Sequence, residues 1–255
     1  MRIRPKKYDE IDFDSVESSE LAHKILREKK CLRDIYTEMY REMVAVKNRY
    51  LVSGGTVVEI GSGGGFIKDI FPEIITSDIK AINGVDRVFG ADTLPFADNS
   101  VSAIFAVHVI HHIPDITQFL REAERVLVPG GGIVCVEPYW SPVATFVYKH
   151  VHVEPYDEHA STWLLPGDRP MSSSNQAMSY LLLKRDREEF KKQFPHFRLV
   201  CQRPFGCIRY MATGGIWLNP LLPEWTFVVL KCIEYLLRPV MSVLAIHHIF
   251  VWKKT

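Results

Sequence analysis

The chain has 255 residues, 47% of them hydrophobic, and a formal net charge of +1. That length and apolar content support a full buried core, and the near-neutral balance removes nucleic acid as a default partner, because no basic excess is available for phosphates. The five scattered cysteines contain no CxxC pair, which argues against a disulfide framework and for a reducing compartment, and MRIRPKKYDEIDFDSV at the N-terminus lacks the apolar stretch of a secretory signal. With no apolar run of spanning length either, the expected location is cytoplasmic.

Residues 1–20 are polar and aperiodic, and read as an arm over the surface. From 21 to 50, good helix formers without Gly or Pro place Leu21, Ile25, Leu32, Ile35, Met39, Met43 and Val46 at helical spacing, and Ser53-Gly54-Gly55 breaks that helix. Strand and helix signals then alternate. Thr56–Ile60 reads as a buried strand, 66–71 as the start of a helix, 74–77 as a second strand ending at Asp78, 85–89 as a third and Val101–Val107 as a fourth. Residues 115–128 read as a helix and 132–136 as a fifth strand after the turn Pro129-Gly130-Gly131. Beyond Glu137 the pattern stops: 138–180 is rich in Pro, Ser, His and aromatics and suits a lid over a substrate. Residues 185–194 return to helix, 197–202 to strand, 216–245 form a very apolar insertion, and 245–252 suit a last strand. The expected division is therefore one domain of four parts, 1–53, 54–137, 138–180 and 181–255. Alternating strands and helices imply a doubly wound α/β fold whose ligands sit beyond the C-terminal strand ends. Glu59, Gly61, Gly63, Gly65, Asp78, Asp92, His108 and Glu137 all fall there.

The stretch VVEIGSGGGFIKDI (57–70) carries the clearest chemistry. Four glycines after a strand let a ligand approach the main chain. The dinucleotide pattern G-x-G-x-x-G fails at its third position, which is Phe66, and the phosphate-binding loop fails because no Gly-Lys-Ser/Thr follows. What remains is Glu59-x-Gly61-x-Gly63-x-Gly65, an acid suited to a ligand with positive charge.

Glu59-Ile60-Gly61-Ser62-Gly63-Gly64-Gly65 resembles the first motif of the Rossmann-like (class I) S-adenosylmethionine-dependent methyltransferases. Asp78, followed by Ile79, is similar to the family's ribose-binding acid. Gly90-Ala91-Asp92-Thr93-Leu94-Pro95-Phe96 resembles the segment whose acid meets the adenine amino group. His108-Val109-Ile110-His111-His112-Ile113-Pro114-Asp115 and Leu127-Val128-Pro129-Gly130-Gly131 resemble the type 11 group, which includes quinone-pathway enzymes. The resemblance implies seven strands, the last antiparallel, S-adenosylmethionine as cofactor with S-adenosylhomocysteine as product, and Tyr36, Glu59, Gly61, Ser62, Gly63, Gly65, Asp78, Ile79, Asp92, Thr93 and His108 around it. Tyr36 and Tyr40, one turn apart, are expected to help close that site or to pack in the core. Beyond 137, Glu137-Pro138-Tyr139-Trp140 and the run 150–157 resemble a bacterial subset with members in surface-glycan or lipid pathways, which implies a small-molecule, glycan or lipid-linked acceptor.

The chemistry expected is direct displacement at the methyl carbon, with His111, His150, His152 or Glu137 as base if the acceptor must lose a proton. A metal held by His150, His152, Glu154, Asp157 and His159 is disfavoured, since alternate residues of an extended segment face opposite ways. A serine hydrolase is poorly supported, since G-x-S-x-G is missing and Gly61-Ser62-Gly63 puts its Ser one place too early. The run 225–245, interrupted by Lys231, Glu234, Arg238 and Pro239, reads either as a helix packed on the core or at a homodimer interface, or as a peripheral membrane contact. Two rival functions stay open: a cofactor-binding partner module without catalysis, and a NAD-dependent dehydrogenase or epimerase, which Phe66 opposes.

Overall fold

The computed structural model describes residues 12–152, 154–165, 167 and 173–255. Residues 1–11 of the stretch 1–20 expected as an arm, and parts of the 138–180 stretch expected as a lid, lie outside the described residues. Seven strands form one sheet: β1 (Thr56–Ile60), β2 (Ile75–Asp78), β3 (Arg87–Val88), β4 (Val101–Val107), β5 (Leu127–Pro138), β6 (Phe197–Phe205) and β7 (His247–Lys254). Their order is β3-β2-β1-β4-β5-β7-β6. Strands β1 to β5 pair in parallel, and β7 runs antiparallel to both β5 and β6.

Central strands buried on both faces need apolar residues in unbroken runs, and VSAIFAV of β4 is buried in its first six positions. The strand period of two splits these runs between two cores. Val58, Ile60, Ile104, Ala106, Phe250 and Trp252 pack with Phe119 and Leu120 on one face. Val57, Ala103, Phe105, Val134, Val136 and Val251 pack with Leu32, Ile35, Met39 and Met43 on the other.

The expected N-terminal helix is two helices, α1 (Val16–Glu28) and α2 (Lys30–Tyr50). Ser15 caps α1 by accepting from the Ser18 amide at 3.1 Å, so the helix begins inside the stretch read as an arm. Lys29 leaves helical geometry at ψ 89° and donates to the carbonyls of Gly215 and Leu218 at 2.7 and 2.9 Å. The helix expected from 66 shrinks to one 3-10 turn, Ile67–Asp69. Pro72 explains it, since the residue before a proline is driven out of helical geometry. The turn Pro129-Gly130-Gly131 lies inside β5 as a bulge: Val101 pairs with Leu127 and Ala103 with Gly132, with Gly130 at φ 82° between.

Helix α3 (Ile116–Val126) starts where Asp115 accepts from the Gln118 amide at 3.0 Å. The lid stretch holds a helix that periodicity missed, α4 (Pro142–His150), whose Ser141 cap accepts from the Ala144 amide at 2.9 Å and whose Pro142 sits in the first turn. A short α5 (Met178–Tyr180) runs into a π-helical turn, Leu181–Arg185, and then α6 (Arg187–Gln193). The second insertion carries α7 (Ile208–Thr213), α8 (Thr226–Leu236) and α9 (Met241–Leu244).

Helix α8 is inverted. Its one buried side chain is Glu234, which accepts from the Cys207 and Arg209 amides at 3.0 and 2.9 Å and from Arg209 Nε at 2.7 Å. Trp225, Val228, Tyr235 and Leu236 are instead 74%, 71%, 63% and 75% exposed. Over α8 the expectation that the run 225–245 packs on the core does not hold, whereas Met241 and Ala245 further along the run are buried.

Candidate active site

The C-terminal ends of β1, β2, β4 and β5 and the start of β7 share one edge of the sheet, and the candidate residues gather along it. Gly61 turns the chain out of β1 at φ 59°, and a Cβ there would lie 2.6 Å from Val109 Cγ2. Gly63 follows at φ 46°, and its amide donates to Asp78 Oδ2 at 2.9 Å, while Lys80 N donates to Oδ1 at 2.9 Å. The Ser77 hydroxyl donates to the Glu59 carbonyl at 2.9 Å and the Ser77 amide to Ser62 Oγ at 3.2 Å, which ties the loop to β2. Gly64 lies beneath α1, where a Cβ would meet His23 N at 2.5 Å. Gly65 lies over the Tyr40 hydroxyl, and the Tyr40 ring stacks edge-on against Phe66 at 5.3 Å. Arg27 pairs with Asp69 at 3.1 Å, holding α1 across the loop.

Within this cradle Glu59 is 2% exposed, and its Oε2 has no partner among the described residues. Burial pushes its carboxyl up to about 7 despite the Ser62 hydroxyl, with Asp78 adding repulsion. A buried acceptor of this kind fits a cationic ligand group, which would restore its charge. Asp78 is also buried, whereas Ile79 is half-exposed and Asp92 and Thr93 are exposed beyond β3. The cradle therefore fits S-adenosylmethionine: an acid for its cationic end, glycines at the turn, and an acid at the end of β2.

Deeper along the edge, Glu137 is fully buried, and each of its oxygens is engaged. Oε1 accepts from the Val109 and Ile110 amides at 2.8 Å each, and Oε2 meets His111 Nδ1 at 2.5 Å. Both oxygens of Glu137 are thus engaged by the turn after β4. Burial opposes charge on His111, but Glu137 and Glu154 outweigh it and push the imidazole up to about 10. Burial likewise opposes charge on Glu154, yet His111, His112 and His152 hold it down at about 2. His108 takes a left-handed φ of 57°, and its ring stands 4.7 Å from that of His247. His108 Nε2, His247 Nδ1 and His248 Nε2 are buried without a partner among the described residues, and burial pushes His108 down to about 4 and His248 to about 3.

The structure does not bring all the expected residues to this edge. His150 is exposed in the last turn of α4 and faces Phe146 at 4.9 Å, away from the buried histidines. His152 meets the Tyr148 ring edge-on at 5.7 Å, and its Nδ1 accepts from the Glu154 amide at 3.2 Å. Tyr36 is buried, its ring edge-on to that of Tyr40 at 6.2 Å. Residues that periodicity did not single out, His247 and Tyr210, complete the cluster, with rings 4.5 Å apart.

Residues 58–135 match a protein family described as "Methyltransferase domain". The chain is similar to ubiquinone/menaquinone biosynthesis C-methyltransferases, at 35% identity over 127 residues for the Brucella canis protein and 30% over 129 residues for that of Bartonella tribocorum. Each match covers 49% of this chain and 44% or 46% of the relative, so the chain spans about half the length of the curated relatives it matches. A solved methyltransferase from Thermotoga maritima shares the fold, with a TM-score of 0.54 at 16% identity over 92% of this chain and 99% of that one. Residues 58–135 thus match a methyltransferase domain, and the strand order and acid–glycine cradle around them are those of a Rossmann-like S-adenosylmethionine-dependent fold.

Proposed function

We propose that the chain transfers a methyl group from S-adenosylmethionine to an amphiphilic, lipid-linked acceptor met at a membrane surface. The observation that carries the methyl-transfer half is the partnerless buried Glu59 Oε2 beside Gly61, Gly63 and Asp78. Bound there, S-adenosylmethionine supplies an electrophilic methyl on a good leaving group, so alignment and exclusion of water provide most of the acceleration. Glu59 and Ser62 face the cationic end, Asp78 accepts from the ribose hydroxyls, and Asp92 with Thr93 meets the adenine. Tyr40 supports the loop from below and α1 covers it. Glu137 holds the turn carrying His108 to His111 in place rather than taking a proton.

The acceptor half is supported by the exposed apolar face of α8. Its aromatics stand at either end, Trp225 at the start and Tyr235 under Arg238 at 4.5 Å, an arrangement suited to a helix lying in a lipid interface. No described helix is long and apolar enough to cross a membrane. The relatives named for ubiquinone and menaquinone biosynthesis are consistent with an acceptor of the same broad kind. The test is to incubate the protein with methyl-labelled cofactor and vesicles of extracted membrane lipid. Label should enter the organic phase and fall at least ~10-fold with Asp78→Ala at subsaturating cofactor. Label confined to water-soluble products would overturn the lipid-linked acceptor, and absence of both transfer and S-adenosylhomocysteine binding would overturn methyl transfer.

A further inference from the structure

Three side chains outside the cofactor cradle converge between the turn after β4 and the segment after α4. His111 Nε2 stands 3.6 Å and His112 Nε2 3.8 Å from the same atom, Glu154 Oε2. One ligand atom from each of the three lies within 4.8 Å of the others, and the two imidazole rings are 4.2 Å apart. We infer that His111, His112 and Glu154 form a binding site for a divalent transition-metal ion, with zinc as the reference case.

The separations are the first reason. A 3.6 Å or 3.8 Å gap is too long for a hydrogen bond, yet ligands about 2.0–2.2 Å from a tetrahedral ion stand roughly 3.3–3.6 Å from one another. Small side-chain rotations would bring the set onto an ion. The donor type is the second reason. Two imidazole nitrogens and one carboxylate suit zinc, iron or cobalt over calcium or magnesium, and three protein ligands leave a coordination position open.

The third reason is the shell behind the ligands. His111 turns Nε2 toward Glu154 because Nδ1 is held by Glu137, the carboxylate–histidine arrangement that fixes a metal-binding imidazole. Glu137 is fixed in turn by the Val109 and Ile110 amides. Glu154 is held by the Gln176 side-chain amide, and Gln176 N donates to the Pro155 carbonyl at 2.9 Å. Asn175 N donates to the His111 carbonyl at 2.9 Å, so the 175–176 segment bridges the two ligand-bearing segments. Charge is the fourth reason. Two carboxylates, one of them fully buried, flank His111, and this arrangement calls for positive charge at its centre. A metal ion would take the place of the proton on His111 Nε2, which is released to solvent. The ligand set also differs from the sequence expectation, because Asp157 and His159 take no part: Asp157 Oδ1 accepts from His159 N, and the His159 side chain is 88% exposed.

The full chain, stripped with a chelator, is titrated with Zn²⁺ by calorimetry and with Co²⁺ by visible absorption. One ion per chain should bind, with the absorption bands of nitrogen- and oxygen-ligated cobalt. Glu154→Gln and His112→Gln should each weaken binding at least ~10-fold, while His159→Gln leaves it unchanged. Circular dichroism and S-adenosylhomocysteine titration on the same variants check that fold and cofactor site are intact. Absence of stoichiometric binding in the folded wild type, or unchanged affinity in the Glu154→Gln/His112→Gln double variant, overturns the site. Because cofactor binding is measured separately, either result leaves the methyl-transfer reading standing on its own.

Discussion

Glu59 offers a quantitative test of the cradle. Its carboxyl is buried, its Oε2 lacks a partner among the described residues, and its pKa stands at about 7 against an ordinary 4.5. A cation seated against it should return it toward the ordinary range, a change of about 3 kcal/mol between the two protonation states. At pH 7 about half of the free protein carries the proton, so S-adenosylhomocysteine binding should release about half a proton, rising to about 0.9 at pH 6 and falling to about 0.1 at pH 8. Calorimetry in buffers of different ionisation enthalpy reads this number directly. Glu59→Gln should abolish it. The sign for stability follows from the same shift. The folded state binds more protons than the unfolded state between pH 4.5 and 7, so the free protein loses stability as pH rises through that window. Saturating ligand should remove that slope. Buffer-independent heats at pH 6, or equal proton release in Glu59→Gln, would refute the placement of a cationic ligand group at Glu59.

Gly61→Ala puts a Cβ against Val109 at a left-handed φ and should destabilise by about 2–3 kcal/mol, read as a lower Tm. Adding Val109→Ala should recover the steric share and leave the backbone share; full recovery would show that φ is unimportant. Glu137→Gln sets an amide N–H against donors now received by a carboxylate and should cost about 3–5 kcal/mol in denaturant unfolding; an unchanged midpoint would remove its positioning role. Trp225→Ser with Leu236→Ser should reduce partition onto anionic vesicles more than tenfold, since each side chain is worth about 1.5–3 kcal/mol when buried. Wild-type protein that ignores such vesicles would sink the lipid-surface contact.

What could be read in advance follows from how local each determinant is. The strands Thr56–Ile60 and Val101–Val107 match their expected bounds because β-branched runs buried on both faces leave a continuous apolar signal. Asp115 marks the start of α3 for the same local reason, a side-chain cap. The helix expected at 66 failed because the apolar spacing of Phe66, Ile67 and Ile70 was read without Pro72. The start of α4 was legible in Ser141-Pro142 but was masked by the aperiodic composition around it. The gathering of Glu59, the glycines and Asp78 at one edge was legible because it follows from adjacent strand ends. The histidine cluster was not. His247 reaches it only because β7 inserts antiparallel beside β5, with Pro138 opposite His247, and Glu154 reaches His111 from a segment without periodicity. The inverted α8 was equally hidden, since an apolar helix reads the same whether its face is covered or bare.

The most direct measurement is a calorimetric titration of the purified chain with S-adenosylhomocysteine and, separately, with NAD. One S-adenosylhomocysteine per chain should bind at least ~10-fold more tightly than NAD, and Asp78→Ala should weaken that binding by about 1.5–3 kcal/mol through loss of its charge-assisted hydrogen bonds. Preference for NAD, or Asp78→Ala binding S-adenosylhomocysteine as tightly as the wild type, would contradict the account.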